Sequence, residues 1–167
     1  MSRDQERSFI AHISTPEYAL EIDRRNPPKN ILGTTFTFTY LNGVLVPVAR
    51  SRKSIIPMKV HFWCYDDYYN IQILNGPSAN MYLSKNDDGT IAALPAAGGQ
   101  TTSYNLLDDG HNIITLDDLP SDTASVYLKS RNNNTLKINR STFGHHFNDT
   151  SGEEIMFKLK IIERSPG

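Results

Sequence analysis

Tyr65-Asp66-Asp67-Tyr68-Tyr69-Asn70-Ile71-Gln72-Ile73-Leu74 is written a second time, as Leu107-Asp108-Asp109-Gly110-His111-Asn112-Ile113-Ile114-Thr115-Leu116. The step from Asp66 to Asp108 is 42 residues and holds to the closing leucines. Tyr40-Leu41 returns as Tyr82-Leu83 at the same step, and again as Tyr127-Leu128 after 45 residues. Asn-Ile opens three blocks, at Asn30-Ile31, Asn70-Ile71 and Asn112-Ile113. A turn and a short apolar strand follow in each: Asn42-Gly43 then Val44-Leu45-Val46, Asp88-Gly89 then Thr90-Ile91-Ala92, and Asn133-Asn134 then Thr135-Leu136-Lys137-Ile138. The blocks close on strands at Lys59 to Tyr65, Ser103 to Leu107 and Ile155 to Ile162. A fixed order of markers at a period near forty residues predicts a repeat architecture built from one supersecondary unit.

Within that frame the chain reads as strand. Thr35-Phe36-Thr37-Phe38-Thr39-Tyr40 alternates with period two in β-forming residues. Lys59 to Tyr65 alternates as well, with Val60, Phe62 and Cys64 on one face and His61, Trp63 and Tyr65 on the other. Either face suits a core. Asn42-Gly43 between apolar runs predicts a hairpin. No helical periodicity occurs after residue 30. Before it, Ser8 to Ile13 reads as a short strand. Thr15-Pro16-Glu17 has the cap, first-turn proline and acid of a helix start, while Tyr18, Leu20 and Ile22 also alternate as a strand. Pro27-Pro28 ends whichever element precedes it.

Three blocks of four short strands make twelve, which implies an all-β closed or sandwiched form. A propeller blade also has four strands, but propellers typically need at least four blades. Over residues 30–163 the chain resembles the β-trefoil superfamily. The stretch Met81-Tyr82-Leu83-Ser84-Lys85-Asn86-Asp87-Asp88-Gly89-Thr90-Ile91 is similar to the strand-turn-strand of fibroblast growth factors, fascins and trefoil lectins. The resemblance implies one β-trefoil domain with pseudo-threefold symmetry, repeats at about 30–66, 67–109 and 110–163, and residues 1–29 as an N-terminal extension. It further implies that Ile71, Ile73, Leu83, Ile113, Leu128, Leu136, Phe157 and Leu159 fill the barrel.

Composition narrows the function. A chain of 167 residues holds one domain with a core of its own. Hydrophobic residues at 38% and charged residues at 21% are the balance of a soluble globular protein. The 17 basic and 18 acidic residues give a net charge of −1, which carries no nucleic-acid footprint. No apolar run reaches the ~20 residues of a spanning helix. Met1 to Arg7 is charged and lacks the apolar centre of a secretory leader, so the chain is expected in the cytoplasm, or secreted without a classical signal peptide. Cys64 is the single cysteine, so no internal disulfide forms; it reads as a small buried hydrophobe.

Little in the chain points to catalysis. Asp66-Asp67 and Asp108-Asp109 carry paired carboxylates of the kind that split acid and base roles. They recur with the repeat and sit between strands, as turn residues accepting backbone hydrogen bonds do. Adjacent residues of an extended segment point to opposite sides, so His145-His146 converges poorly on a metal. No nucleophile elbow, phosphate loop or dinucleotide fingerprint occurs. The expectation is a protein that is not an enzyme, with no cofactor and no metal.

Two binding functions compete. In a carbohydrate-binding lectin, aromatic faces stack on sugar rings while Asn and Asp side chains hold hydroxyls. The loops supply Asn75, Asn80, Asp87, Asp117, Asn133 and Asn134 as candidate glycan contacts, beside eight tyrosines. The Gln-x-Trp repeat of ricin-type trefoil lectins is absent, and Trp63 is the lone tryptophan. The alternative is a protein-binding module: a leaderless cytokine or growth factor, a cytoskeletal binder, or a protease inhibitor presenting Arg50 to Ile56.

Overall fold

A computed structural model describes residues 2–23, 43–49, 56–131, 133–141 and 144–166. The Asn30-Ile31 and Tyr40-Leu41 markers, the Thr35 to Tyr40 alternation and the Arg50 to Ile55 stretch lie outside the described residues. In chain order the elements are α1 (Arg3–Arg7), β1 (Phe9–Ser14), β2 (Tyr18–Asp23), β3 (Val44–Ala49), β4 (Met58–Tyr65), β5 (Tyr68–Ile73), β6 (Tyr82–Lys85) and β7 (Ile91–Leu94). They continue with β8 (Ser103–Leu107), β9 (Ile113–Ile114), β10 (Thr123–Ser130), β11 (Lys137–Ser141), β12 (Gly144–Asn148), β13 (Glu153–Glu154) and β14 (Phe157–Arg164). Two 3₁₀ turns, Gln100–Thr102 and Leu116–Asp118, precede β8 and β10.

Six of these strands close a ring in which every seam is antiparallel: β1–β4, β4–β5, β5–β8, β8–β10, β10–β14 and β14–β1. Closure follows from alternation. In β4, Val60, Phe62 and Cys64 point inward, and in β5 Tyr69, Ile71 and Ile73 meet them, all at most 4% exposed. The opposite face of β4, with His61, Trp63 and Tyr65, is therefore the outside. Phe9 of β1 stacks on Phe62 at 4.5 Å, and Tyr69 meets both rings edge-on. Burying side chains of this size contributes roughly 1.5–3 kcal/mol each.

Outside the ring, β6, β7, β3 and β2 form a ribbon strung from the edge of β5. β12, β11 and β13 make a separate small sheet, with β12 packed on β3. In the β6–β7 turn, Gly89 takes φ +87°, and an added Cβ there would press on Thr150 and Asp149. Among the described residues no helix is long and apolar enough to cross a membrane.

The all-β class stands, but the trefoil assignment is corrected: the structure is a closed six-stranded barrel with extra strands outside it. The markers that aligned the repeats fall in unlike places. Tyr82-Leu83 lies in β6, outside the ring, whereas Tyr127-Leu128 lies in β10, a stave. The Asp66-Asp67 turn leads straight into the stave β5, but Asp108-Asp109 leads into the two-residue edge strand β9. The 42-residue step thus records two similar hairpin turns and not two equivalent blocks. Ile113 is accordingly no core residue: it is 50% exposed, and its neighbour Ile114 packs on the core instead. The other seven expected barrel residues are buried.

Residues 9–14, read from sequence as part of an extension, are a full stave with Phe9, Ala11 and Ile13 in the core. No helix starts at Thr15. The Thr15 N–H donates to Tyr18 O (2.8 Å) and Thr15 Oγ1 accepts from Tyr18 N (3.0 Å), closing a turn that throws the chain into strand β2. The alternation of Leu20 and Ile22 then serves the core. The described helix is α1 instead, capped by Ser2 Oγ accepting from Gln5 N at 3.1 Å.

Candidate functional site

The outer face of the β4–β5 hairpin carries a continuous aromatic and amide surface. Register sets it: Tyr65 stands opposite Tyr68, Trp63 opposite Asn70, and His61 opposite Gln72. The two-residue turn that aligns them holds Asp66 at φ 58°, a left-handed conformation that Asp tolerates better than most side chains. The Asp66 N–H donates to Asp4 Oδ1 (3.0 Å), so α1 braces the turn from below.

Trp63 is presented and held at once. Its indole N–H donates to Gln72 Oε1 at 2.9 Å, and its ring stacks on His61 with centroids 3.7 Å apart and planes within 10°. His61 is buried under it, and burial holds its imidazole below the usual histidine pKa. One indole face lies against His61, and the residue is still 38% exposed. Tyr65 is 45% exposed and stacks with Tyr68, over whose ring the Arg131 guanidinium lies at 3.8 Å. The side-chain amide donors of Asn70 and Gln72 have no protein partner among the described residues. An exposed ring flanked by two open amide donors offers a stacking face and hydrogen-bond donors. It holds no nucleophile paired with a base.

The residues singled out from the loops are not brought together. Asn75 braces its own loop, its Oδ1 accepting from Lys59 N (3.0 Å) and its Nδ2 donating to Pro57 O (2.9 Å). Asn80 supplies a left-handed turn at φ 73°. Asp87 is exposed on the β6–β7 turn. Asp117 accepts from Arg7 Nε at 2.8 Å, beyond the far end of β4 from Asn75. Asn133 and Asn134 form the β10–β11 turn, with Ser130 N donating to Asn134 O at 3.0 Å. Asn and Asp abound in these loops because tight turns demand them.

The acidic pairs also serve turns. Asp108 Oδ1 accepts from the backbone N–H groups of Asn112 (2.9 Å) and Gly110 (3.0 Å), and these bonds hold its carboxyl below the usual range. Cys64 is 4% exposed, and burial pushes its thiol up to about 11, so thiolate is scarce at neutral pH. Among the described residues no three His, Cys, Asp or Glu side chains are placed to hold a metal.

The aromatic face was half visible in the sequence as the His61, Trp63, Tyr65 side of an alternating strand. Its amide partners were not. Asn70 and Gln72 come from the next strand, and only register pairs them with the rings. No protein-family model matches the chain, and a search of curated proteins found no match.

Proposed function

We propose that the protein is a non-catalytic carbohydrate-binding module whose sugar docks on the outer face of the β4–β5 hairpin. The supporting observation is the exposed Trp63 ring, fixed from beneath by His61 and at its edge by Gln72, with the Asn70 and Gln72 amides alongside. A sugar ring stacks its apolar face on the indole while its hydroxyls accept from the two amides. Because the ring is already immobilised, little side-chain entropy is lost on binding.

Trp63 is the single tryptophan, so its fluorescence reports on this surface alone. Titration with glycans chosen by array screening should shift its emission. Trp63→Ala should lower affinity at least roughly tenfold, the loss of ~1.4 kcal/mol, with the thermal transition retained. No glycan bound at millimolar sugar, or binding indifferent to Trp63→Ala, removes the reading.

One observation favours a protein partner instead. Tyr65, Tyr68 and Arg131 cluster beside Trp63, and tyrosine, tryptophan and arginine anchor protein interfaces. Recovery of one stoichiometric protein whose binding is unaffected by sugars selects that reading.

A further inference from the structure

A second surface lies lower on the barrel wall. Lys59 of β4, His12 of β1, Lys160 of β14 and Thr123 of β10 stand side by side on four adjacent staves. One row below, Ser14, Lys158 and Ser125 do the same. Both rows face outward, since the alternating Ile13, Leu159 and Val126 are buried. Except for Lys59, these residues line an open groove of about 1110 Å³, whose lining also includes Ile13, Leu159, Ala124, Pro16 and Pro57. Neighbouring strands are about 4.8 Å apart, and alternate residues on one strand about 7 Å apart. Lys158, Lys160 and His12 therefore border one groove, with Lys59 on its flank.

Among the described residues no Asp or Glu lines the groove; exposed Glu17 follows the lining Pro16, and Asp122 beside Thr123 is paired with Arg164. Lys59, Lys158 and Lys160 form no ion pair among the described residues. On this face the next acidic position in the β1–β14 ladder is Glu163, exposed and one row higher opposite Ile10. A cluster of like charges held on a rigid wall, in a protein of net charge −1, costs repulsion unless an anion joins it.

We propose that this groove binds a tetrahedral oxyanion, the sulfate or phosphate group of an ester ligand, between Lys158, Lys160 and His12. The hydroxyls of Thr123 and Ser125 stand at its rim as neutral donors. Lys59 guards the side toward the aromatic face, because Lys59, His61, Trp63 and Tyr65 all point outward along β4. The site stands on the groove alone. Where the glycan reading also holds, the charged group sits on another residue of the glycan, because Trp63 lies two alternate positions, about 14 Å, along β4 from Lys59.

His12 gives the site its own reporter. Burial, then Lys160 and Lys59, holds its imidazole below the ordinary value and so favours the neutral ring in the free protein. The groups facing it are Lys59 on β4, Lys160 and Lys158 on β14 and Thr123 on β10, with Pro16 and Ala19 beyond the end of its strand. An anion favours the imidazolium, so binding raises the His12 pKa, and by linkage affinity for sulfate rises as pH falls below 7.

The test follows the His12 ring by NMR in the full chain, with sodium sulfate against sodium chloride at equal ionic strength. Sulfate is expected to raise the His12 pKa, and Lys158→Gln with Lys160→Gln is expected to weaken binding roughly tenfold. Both lysines are exposed, so the fold is retained. Glucose 6-sulfate and glucose separate the sources. Tighter binding of the ester than of inorganic sulfate assigns the anion to a sugar; equal binding assigns the site to the free ion. Chloride acting as sulfate does, or the double variant binding unchanged, overturns the proposal. Glucose and larger neutral glycans that leave Trp63 emission unmoved remove the glycan reading without touching the His12 result.

Discussion

The phenol of Tyr69 joins three separate parts of the chain. It donates to Arg7 O (2.8 Å), accepts from Leu116 N (3.0 Å) and is fully buried against Phe9 and Phe62. Tyr69→Phe keeps the ring and strands a carbonyl and an amide, so it should cost about 1–3 kcal/mol in a urea melt. Leu83→Ala, which empties a side chain 1% exposed, should cost about 2–5 kcal/mol. His61 supplies a pH dependence. Its folded pKa lies below the unfolded value near 6.5, so the unfolded chain takes up the proton first. Stability from this group is therefore complete above about pH 6.5 and declines as pH falls toward the folded pKa. Denaturant midpoints from pH 7.5 to 5.5 should fall, and the slope should flatten in His61→Gln.

At the scale of elements, β1 shows what local reading sees and what it misses. Ser8 to Ile13 reads as a strand from its own residues, and a strand it is. Its place does not follow from those residues, because nothing in Phe9-Ile10-Ala11-His12-Ile13 says that both neighbours come from other parts of the chain. β10 fails differently. Its alternating Val126, Leu128 and Ser130 face inward, but the Tyr-Leu marker drew it into register with β6. The Asp turns were legible as turns, since Asp at a strand junction has a local job. The candidate site was legible only in its aromatic half, since cross-strand pairing is set by register. Removing residues 2–14 should abolish the cooperative thermal transition, because Phe9, Ala11 and Ile13 leave a vacant stave. A truncated chain with a native-like melt would contradict β1 as part of the barrel.

For the whole molecule the decisive feature is that the first and last staves pair. Beyond their ladder, Ser165 N donates to Ser8 O at 2.8 Å and Ser165 Oγ to Glu6 O at 2.7 Å, so the two ends of the described chain lie together. Joining residues 2 and 166 through a short glycine-serine linker and reopening the chain in the exposed 96–99 loop should give a folded circular permutant, checked by its near-UV circular dichroism. Strands are legible almost throughout the second block from its own residues, but this seam joins Phe9–Ser14 to Phe157–Arg164, and pairing between such distant segments leaves no mark in the similarity of one block to another.

That seam bears on how the protein is made. On the ribosome β1 emerges before the other five staves and β14 after them, so Phe9, Ala11 and Ile13 wait with one flank unpaired while the intervening strands are made. Until Phe157 to Arg164 arrive, that flank of β1 is an open strand edge able to pair with another chain.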